Sequence, residues 1–155
     1  MAELNIGAAA PGFTLFDHNR KEVSLSDFKG RKVILAFFPA AFTGVCEKEL
    51  CTFRDSLAGL NDAGADVLAI CVDAPFANAA FAQRNSLTFP ILSDYARAAT
   101  EAYGVALHDF AGMKGYTASQ RAVFVVDGEG KISYTWIAPN PGVEPDYDEV
   151  KKAVA

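Results

Sequence analysis

The run Val33-Ile-Leu-Ala-Phe-Phe38 stops at Pro39, passes through small residues and gives way near position 45 to a helical pattern. A continuous apolar run of this length marks a strand buried on both faces, and such strands belong to sheets covered by helices. The helix reads from about 45 to 62. Leu50, Phe53, Leu57 and Leu60 recur at i, i+3, i+7 and i+10, the core stripe of an amphipathic helix. At about 100° per residue, Cys46 falls at the centre of that stripe, and Cys51 falls roughly 140° away on the face shared with Lys48 and Asp55. On an intact helix their Cα atoms would stand about 8.6 Å apart, beyond the roughly 7 Å that a disulfide tolerates. Any pairing of the two would therefore require the first turn to unwind.

A cysteine at a helix start has chemical consequences. The first backbone N–H groups lack helical partners and the dipole is positive there, so an anion is stabilised. The nucleophilic form of cysteine is the thiolate, and free cysteine titrates near pH ~8.5. A helix N-terminus or a nearby cation raises the nucleophilic fraction at neutral pH.

The other elements fall into place around this junction. FTLFD and EVSL flank a polar turn at His18 to Lys21 and read as an N-terminal hairpin or two short strands, followed by a short helical turn from Ser26-Asp27 to Gly30. ADVLAICVD reads as a second buried strand, and an alanine-rich helix covers about 76 to 85. Phe89-Pro-Ile-Leu92, being short and bounded by proline, reads as a linking or edge segment. A helix is expected from Tyr95 to Tyr103, a loop over 105–119 and a last helix from about 146. RAVFVVD-GEG-KISYTWIA is the clearest hairpin. Strand, helix, strand, helix, hairpin and helix predict an α/β mixed sheet with helices on both faces, in one domain spanning 1–155. In such sheets chemistry sits at the carboxyl ends of strands, where Cys46 lies.

Net charge is −5 and the Lys and Arg residues are scattered, which argues against nucleic acid or an anionic membrane as partner. The start of the chain, with Glu3 and no sustained apolar stretch, does not read as a signal peptide. A cytoplasmic location is expected. Three cysteines in a reducing compartment point to catalysis or packing rather than a disulfide framework. Cys71, inside an apolar run, reads as packing. No cofactor and no metal are implied: Cys-x-x-x-x-Cys is not a zinc spacing, and neither a dinucleotide fingerprint nor a phosphate loop occurs.

Pro39, Thr43 and Cys46 form Pro-x-x-x-Thr-x-x-Cys, which resembles the active-site signature of the peroxiredoxins, proteins of thioredoxin-like fold. APGFTLFD, FPILSD and QRAVFVVD-GEG-KI are similar to family segments in the same order, so the resemblance covers nearly the whole chain. It implies a thiol peroxidase in which Cys46 attacks a peroxide oxygen and becomes a sulfenic acid. It further implies that Thr43 binds the peroxide, Pro39 shapes and dries the pocket, and Arg121 holds thiolate and peroxide with its fork of donors. Glu49 would orient Arg121 or, alternatively, be a solvated helix residue.

Cys51 is open between two readings. In the Q type of the family, also called bacterioferritin comigratory proteins, a cysteine at this spacing resolves the sulfenic acid. In the alkyl hydroperoxide reductase E type an external thiol does so. The electron donor implied is thioredoxin or a glutaredoxin-like protein. Phe38 and Phe42 could serve a homodimer contact or the core. A disulfide oxidoreductase is disfavoured by the lack of Cys-x-x-Cys, and a redox sensor or chaperone using Cys46 remains the alternative from a different class.

Overall fold

The computed structural model describes residues 4–155, so the reading of the chain start at Glu3 lies outside the described residues. Its centre is β3 (Lys32–Phe37), whose last five residues are all buried. It pairs in parallel with β4 (Ala65–Cys71) and antiparallel with β8 (Ala122–Val126), and the 19-residue α1 (Gly44–Asp62) crosses over between β3 and β4. Helix α2 (Pro75–Arg84) links β4 to β5 (Ile91–Ser93). The full seven-stranded order is β2-β1-β5-β4-β3-β8-β9, with β1 (Thr14–Phe16) and β2 (Glu22–Ser24) forming the N-terminal hairpin and β9 (Ile132–Ile137) closing the other edge. This is a thioredoxin-like α/β fold with the hairpin added at the β5 side, as expected.

Strand alternation divides the core in two. Ile34, Ala36 and Phe38 face Cys46, Leu50, Phe53 and Leu60 of α1, Phe81 of α2, and Val150 and Val154 of α4 (Tyr147–Val154). Val33, Leu35 and Phe37 face the opposite layer, built from α3 (Ala98–Ala102), Tyr103, Val105 and the N-terminal segment. Period-2 side-chain geometry produces the division, and burial on both faces explains why the strand has no polar residue after Lys32.

Three local expectations are corrected. Ile91–Ser93 is an internal strand, paired with β4 on one side and with Phe16 of β1 on the other. Pro90 precedes the ladder and so interrupts none of it, while its carbonyl accepts from Ala69 N at 3.0 Å. The helix expected from Tyr95 begins only at Ala98. Residues 95–97 form a turn with Arg97 at φ +62°, because the buried Asp94 carboxylate gathers Ala99 N, Thr100 N and the Thr100 hydroxyl and fixes the helix start there. The segment 105–119 is not plain loop: β6 (Ala106–Leu107) and β7 (Ala118–Ser119) pair antiparallel within it. Glycine is required in the β8–β9 turn, where Gly130 has φ +82°.

Candidate active site

The chain leaves β3 at Phe38, whose N–H still bonds Ile70 O, and turns through the buried Pro39 into α1. Asp73, at the end of β4, pins this turn: its Oδ2 accepts from Ala41 N at 2.7 Å. Phe42 stands at φ +64°, a left-handed conformation uncommon for an aromatic residue. Thr43 occupies the N-cap position in extended geometry, but its hydroxyl donates to Ala40 O at 2.8 Å and caps no helix amide. The first intrahelical bond runs from Glu47 N to Thr43 O. The N–H groups of Gly44, Val45 and Cys46 therefore point out of the helix start with no cap from Thr43.

Cys46 is fully buried on the core stripe. Arg121, immediately before β8, reaches it across the sheet end: Nη2 donates to Cys46 Sγ at 3.1 Å and to Pro141 O at 2.9 Å. Nε donates to the same carbonyl at 3.1 Å, and Nη1 donates to Glu49 Oε1 at 2.8 Å. Four contacts thus fix a guanidinium that has five N–H groups and is only 2% exposed. The structure therefore brings Cys46, Arg121 and Glu49 into one hydrogen-bonded cluster, with Thr43 and Pro39 on the turn that leads into it. Glu49 is not a solvated helix residue; it is completely buried.

The electrostatics of the cluster follow from one cation facing two acidic groups in a dry place. Burial opposes the charge on Arg121, but Glu49 and Cys46 offset it and its pKa is raised. Burial pushes the Glu49 carboxyl up to about 7 despite the adjacent guanidinium, with Glu144 adding to the rise. Glu49 Oε2, which has no hydrogen-bond partner among the described residues, is the atom on which that proton would reside. Glu144 itself is held by Tyr147 OH at 2.7 Å and Lys48 Nζ at 3.2 Å.

A stability prediction follows. Native Glu49 keeps a proton that the unfolded chain releases above its ordinary value of 4.5, so its contribution is full at low pH and is lost as pH rises toward about 7. Urea unfolding at pH 5 and pH 7.5 should show this loss, on the order of 2 kcal/mol, and Glu49→Gln should flatten it. Parallel pH dependences in parent and variant would refute the assignment.

The two remaining cysteines have different surroundings. Cys71 is fully buried and its thiol donates to Asn78 Oδ1 at 3.2 Å. Burial, reinforced by Asp73, raises its pKa well above the ordinary thiol value, so it stays protonated. Cys51 lies off the core stripe on an unbroken helix, as its phase predicts, but it is half-buried rather than open to solvent. The residue after α2, Asn85, covers it, with Cys51 Sγ donating to Asn85 Oδ1 at 3.5 Å. Asp73, Asn85 and the Pro141 carbonyl were not anticipated from sequence. The first two carry no motif, and a backbone carbonyl leaves no side-chain signal at all.

A cysteine at a helix start, held by a buried arginine at the carboxyl end of a central strand, is the candidate thiol centre of this thioredoxin-like fold. Residues 6–135 match the AhpC/TSA family, and the chain belongs to it. It is 42% identical over 134 residues to alkyl hydroperoxide reductase E of Mycobacterium bovis, covering 84% of each chain. It is 37% identical over 137 residues to peroxiredoxin Bcp of Escherichia coli strain K12, covering 88% of this chain and 87% of that one. The crystal structure of a peroxiredoxin-like protein from Aquifex aeolicus superposes with a TM-score of 0.88 at 32% identity, over 99% of this chain and 88% of the other.

Proposed function

We propose that Cys46 is the thiol through which this chain, a thiol-dependent peroxidase by its family, reduces hydrogen peroxide and organic hydroperoxides. The observation that carries the assignment is the 3.1 Å contact from Arg121 Nη2 to Cys46 Sγ inside a buried cluster. A cation donating to the sulfur favours its ionised form, which is the nucleophile. Thiolate attack on the terminal peroxide oxygen breaks the O–O bond, leaves Cys46 as a sulfenic acid and releases the other oxygen as water or alcohol once protonated.

Charge then moves from sulfur to the departing oxygen. Arg121, whose fifth N–H is uncommitted, and the open amides at the start of α1 are the groups suited to receive it. Because Thr43 already donates to Ala40 O, its oxygen is left to accept the peroxide O–H. Pro39 closes the pocket against water, and Glu49 acts through Arg121 by fixing its orientation. Beside Arg121 a cavity of about 190 Å³ lined by Leu107, Ala138, Pro139 and Pro141, with Gln120 and Asn140 as its polar members, offers a place for an organic peroxide tail.

The sulfenic acid is resolved by Cys51 within the chain and the disulfide is reduced by thioredoxin or a glutaredoxin-like donor in the cytoplasm. The Cys-x-x-x-x-Cys spacing and the position of Cys51 off the core stripe of α1 support this route. Resolution by an external thiol, as in the alkyl hydroperoxide reductase E type, is the second reading, favoured by the 42% identity to such a protein. Phe42, 46% exposed next to the site, supports a homodimer contact there; Phe38, fully buried, does not contribute.

With Cys51→Ser, oxidation by peroxide should still proceed, but the sulfenic acid should persist and over-oxidise more readily. Thioredoxin-dependent turnover should drop at least about tenfold, since the resolving nucleophile is gone. Turnover at the parent rate, together with a parent that forms no Cys46–Cys51 disulfide, would establish the external-thiol route instead.

A further inference from the structure

Three successive turns of α1 address a single residue at the end of α2. Glu47, Cys51 and Arg54 stand at i, i+4 and i+7, one stripe of the helix. Asn85 Nδ2 donates to Glu47 Oε1 at 3.4 Å, Cys51 Sγ donates to Asn85 Oδ1 at 3.5 Å, and Arg54 Nη1 donates to the Asn85 carbonyl at 2.6 Å. The amide orientation is determined by its partners. Nδ2 also donates to Phe81 O at 3.1 Å, and both Glu47 Oε1 and Phe81 O can only accept, so Oδ1 is the atom left for the thiol.

The same end of α2 also holds the turn that precedes α1. Phe42 packs edge-to-face on the buried Phe81 with ring centroids 5.2 Å apart. The Arg84 guanidinium lies 5.9 Å from the Phe42 ring centroid and 3.5 Å from Glu47 Oε1. Unwinding the first turns of α1 must break the contacts that Glu47 and Cys51 make with this end of α2. The side-chain bonds to Glu47 and Cys51 are long ones, at the weak end of the hydrogen-bond range, which suits contacts that have to open during a reaction cycle.

We propose that Asn85 is a positioning residue that holds Cys51 in reserve, so that the clasp it forms with α1 sets the rate at which oxidised Cys46 is captured as a disulfide. The inference rests on the reading of Cys51 as the resolving thiol. In the captured step the Cys51 sulfur attacks the Cys46 sulfur, S–S forms as S–O breaks, and the hydroxyl leaves as water with the Cys51 proton. The Cys51 sulfur is oxidised and the Cys46 sulfur reduced. Before this can occur, Cys51 must give up its bond to Asn85 Oδ1 and travel with the unwinding turn toward position 46. A tighter clasp lengthens the life of the sulfenic acid and gives a second peroxide time to over-oxidise it.

The test follows sulfenic acid, disulfide and sulfinic acid through time by alkylation quench and intact mass, after hydrogen peroxide is mixed with parent, Asn85→Ala and Asn85→Leu. Asn85→Leu keeps a similar volume but removes both the acceptor that Cys51 uses and the donor that Glu47 uses, so it opens the clasp without leaving a cavity. Both variants should form the disulfide about tenfold faster relative to their own first oxidation, as expected for losing one to two modest hydrogen bonds, and accumulate less sulfinic acid at high peroxide. If Asn85→Ala does not fold, Asn85→Leu decides alone. A parent that forms the Cys46–Cys51 disulfide while Asn85→Leu forms it no faster overturns the role of Asn85 and leaves that of Cys51 standing. A parent that forms no such disulfide overturns the reading of Cys51, and the role of Asn85 with it.

Discussion

Replacing Cys46 by serine should lower peroxide reduction by on the order of 10⁴-fold or more while leaving the fold in place. The swap is nearly isosteric at a fully buried position, and Arg121 keeps an oxygen acceptor where the sulfur stood. What disappears is the nucleophile, since a serine hydroxyl does not ionise at neutral pH and Glu49, the carboxyl of the cluster, bonds Arg121 rather than position 46. Peroxide consumption and far-UV circular dichroism measured on the same sample separate the two effects. Residual activity near the parent rate would remove Cys46 from the mechanism, and lost secondary structure would make the activity loss uninformative about chemistry.

The second large effect is expected at Arg121. Arg121→Gln retains a planar amide of smaller reach but deletes the guanidinium that joins Cys46, Glu49 and Pro141. Second-order oxidation by peroxide should fall on the order of 10²–10³-fold, the usual result of removing a charged donor from a developing anion. Glu49 would then take up its proton rather than remain a buried unpaired charge, so the folding penalty should be smaller at pH 5 than at pH 8. Stopped-flow oxidation rates across this pH range, with unfolding curves at both ends, check the two statements. An oxidation rate unchanged at neutral pH would show that the guanidinium contact is structural only.

How much of this could be read from the chain differs from residue to residue. The β3–α1 junction was legible because a doubly buried strand and an amphipathic helix leave different periodicities, and the phase of α1 put Cys46 and Cys51 on different faces. Cys46 and Arg121 are 75 positions apart, and their meeting came from family resemblance, since no local pattern encodes it. Glu49 was undecided because a carboxylate one turn from a core position can face solvent or a buried partner, and only the tertiary position of Arg121 settles its burial. Strand β5 was missed because three residues give no periodicity, and the start of α3 because Asp94 overrides the apolar pattern by capturing amides further on. Asn85 was invisible for a related reason. A lone asparagine after a helix reads as an ordinary terminator, and its significance lies entirely in the stripe of α1 that packs on it.

The claim on which the rest depends is that peroxide oxidises Cys46 and spares Cys71. It can be tested in the parent protein by adding one equivalent of hydrogen peroxide, unfolding, alkylating the free thiols and mapping the peptides. Cys46 should be lost as a free thiol, whether as sulfenic acid or as a disulfide, while Cys71 is alkylated in full. Peroxide consumed with Cys46 still fully alkylated would contradict the account.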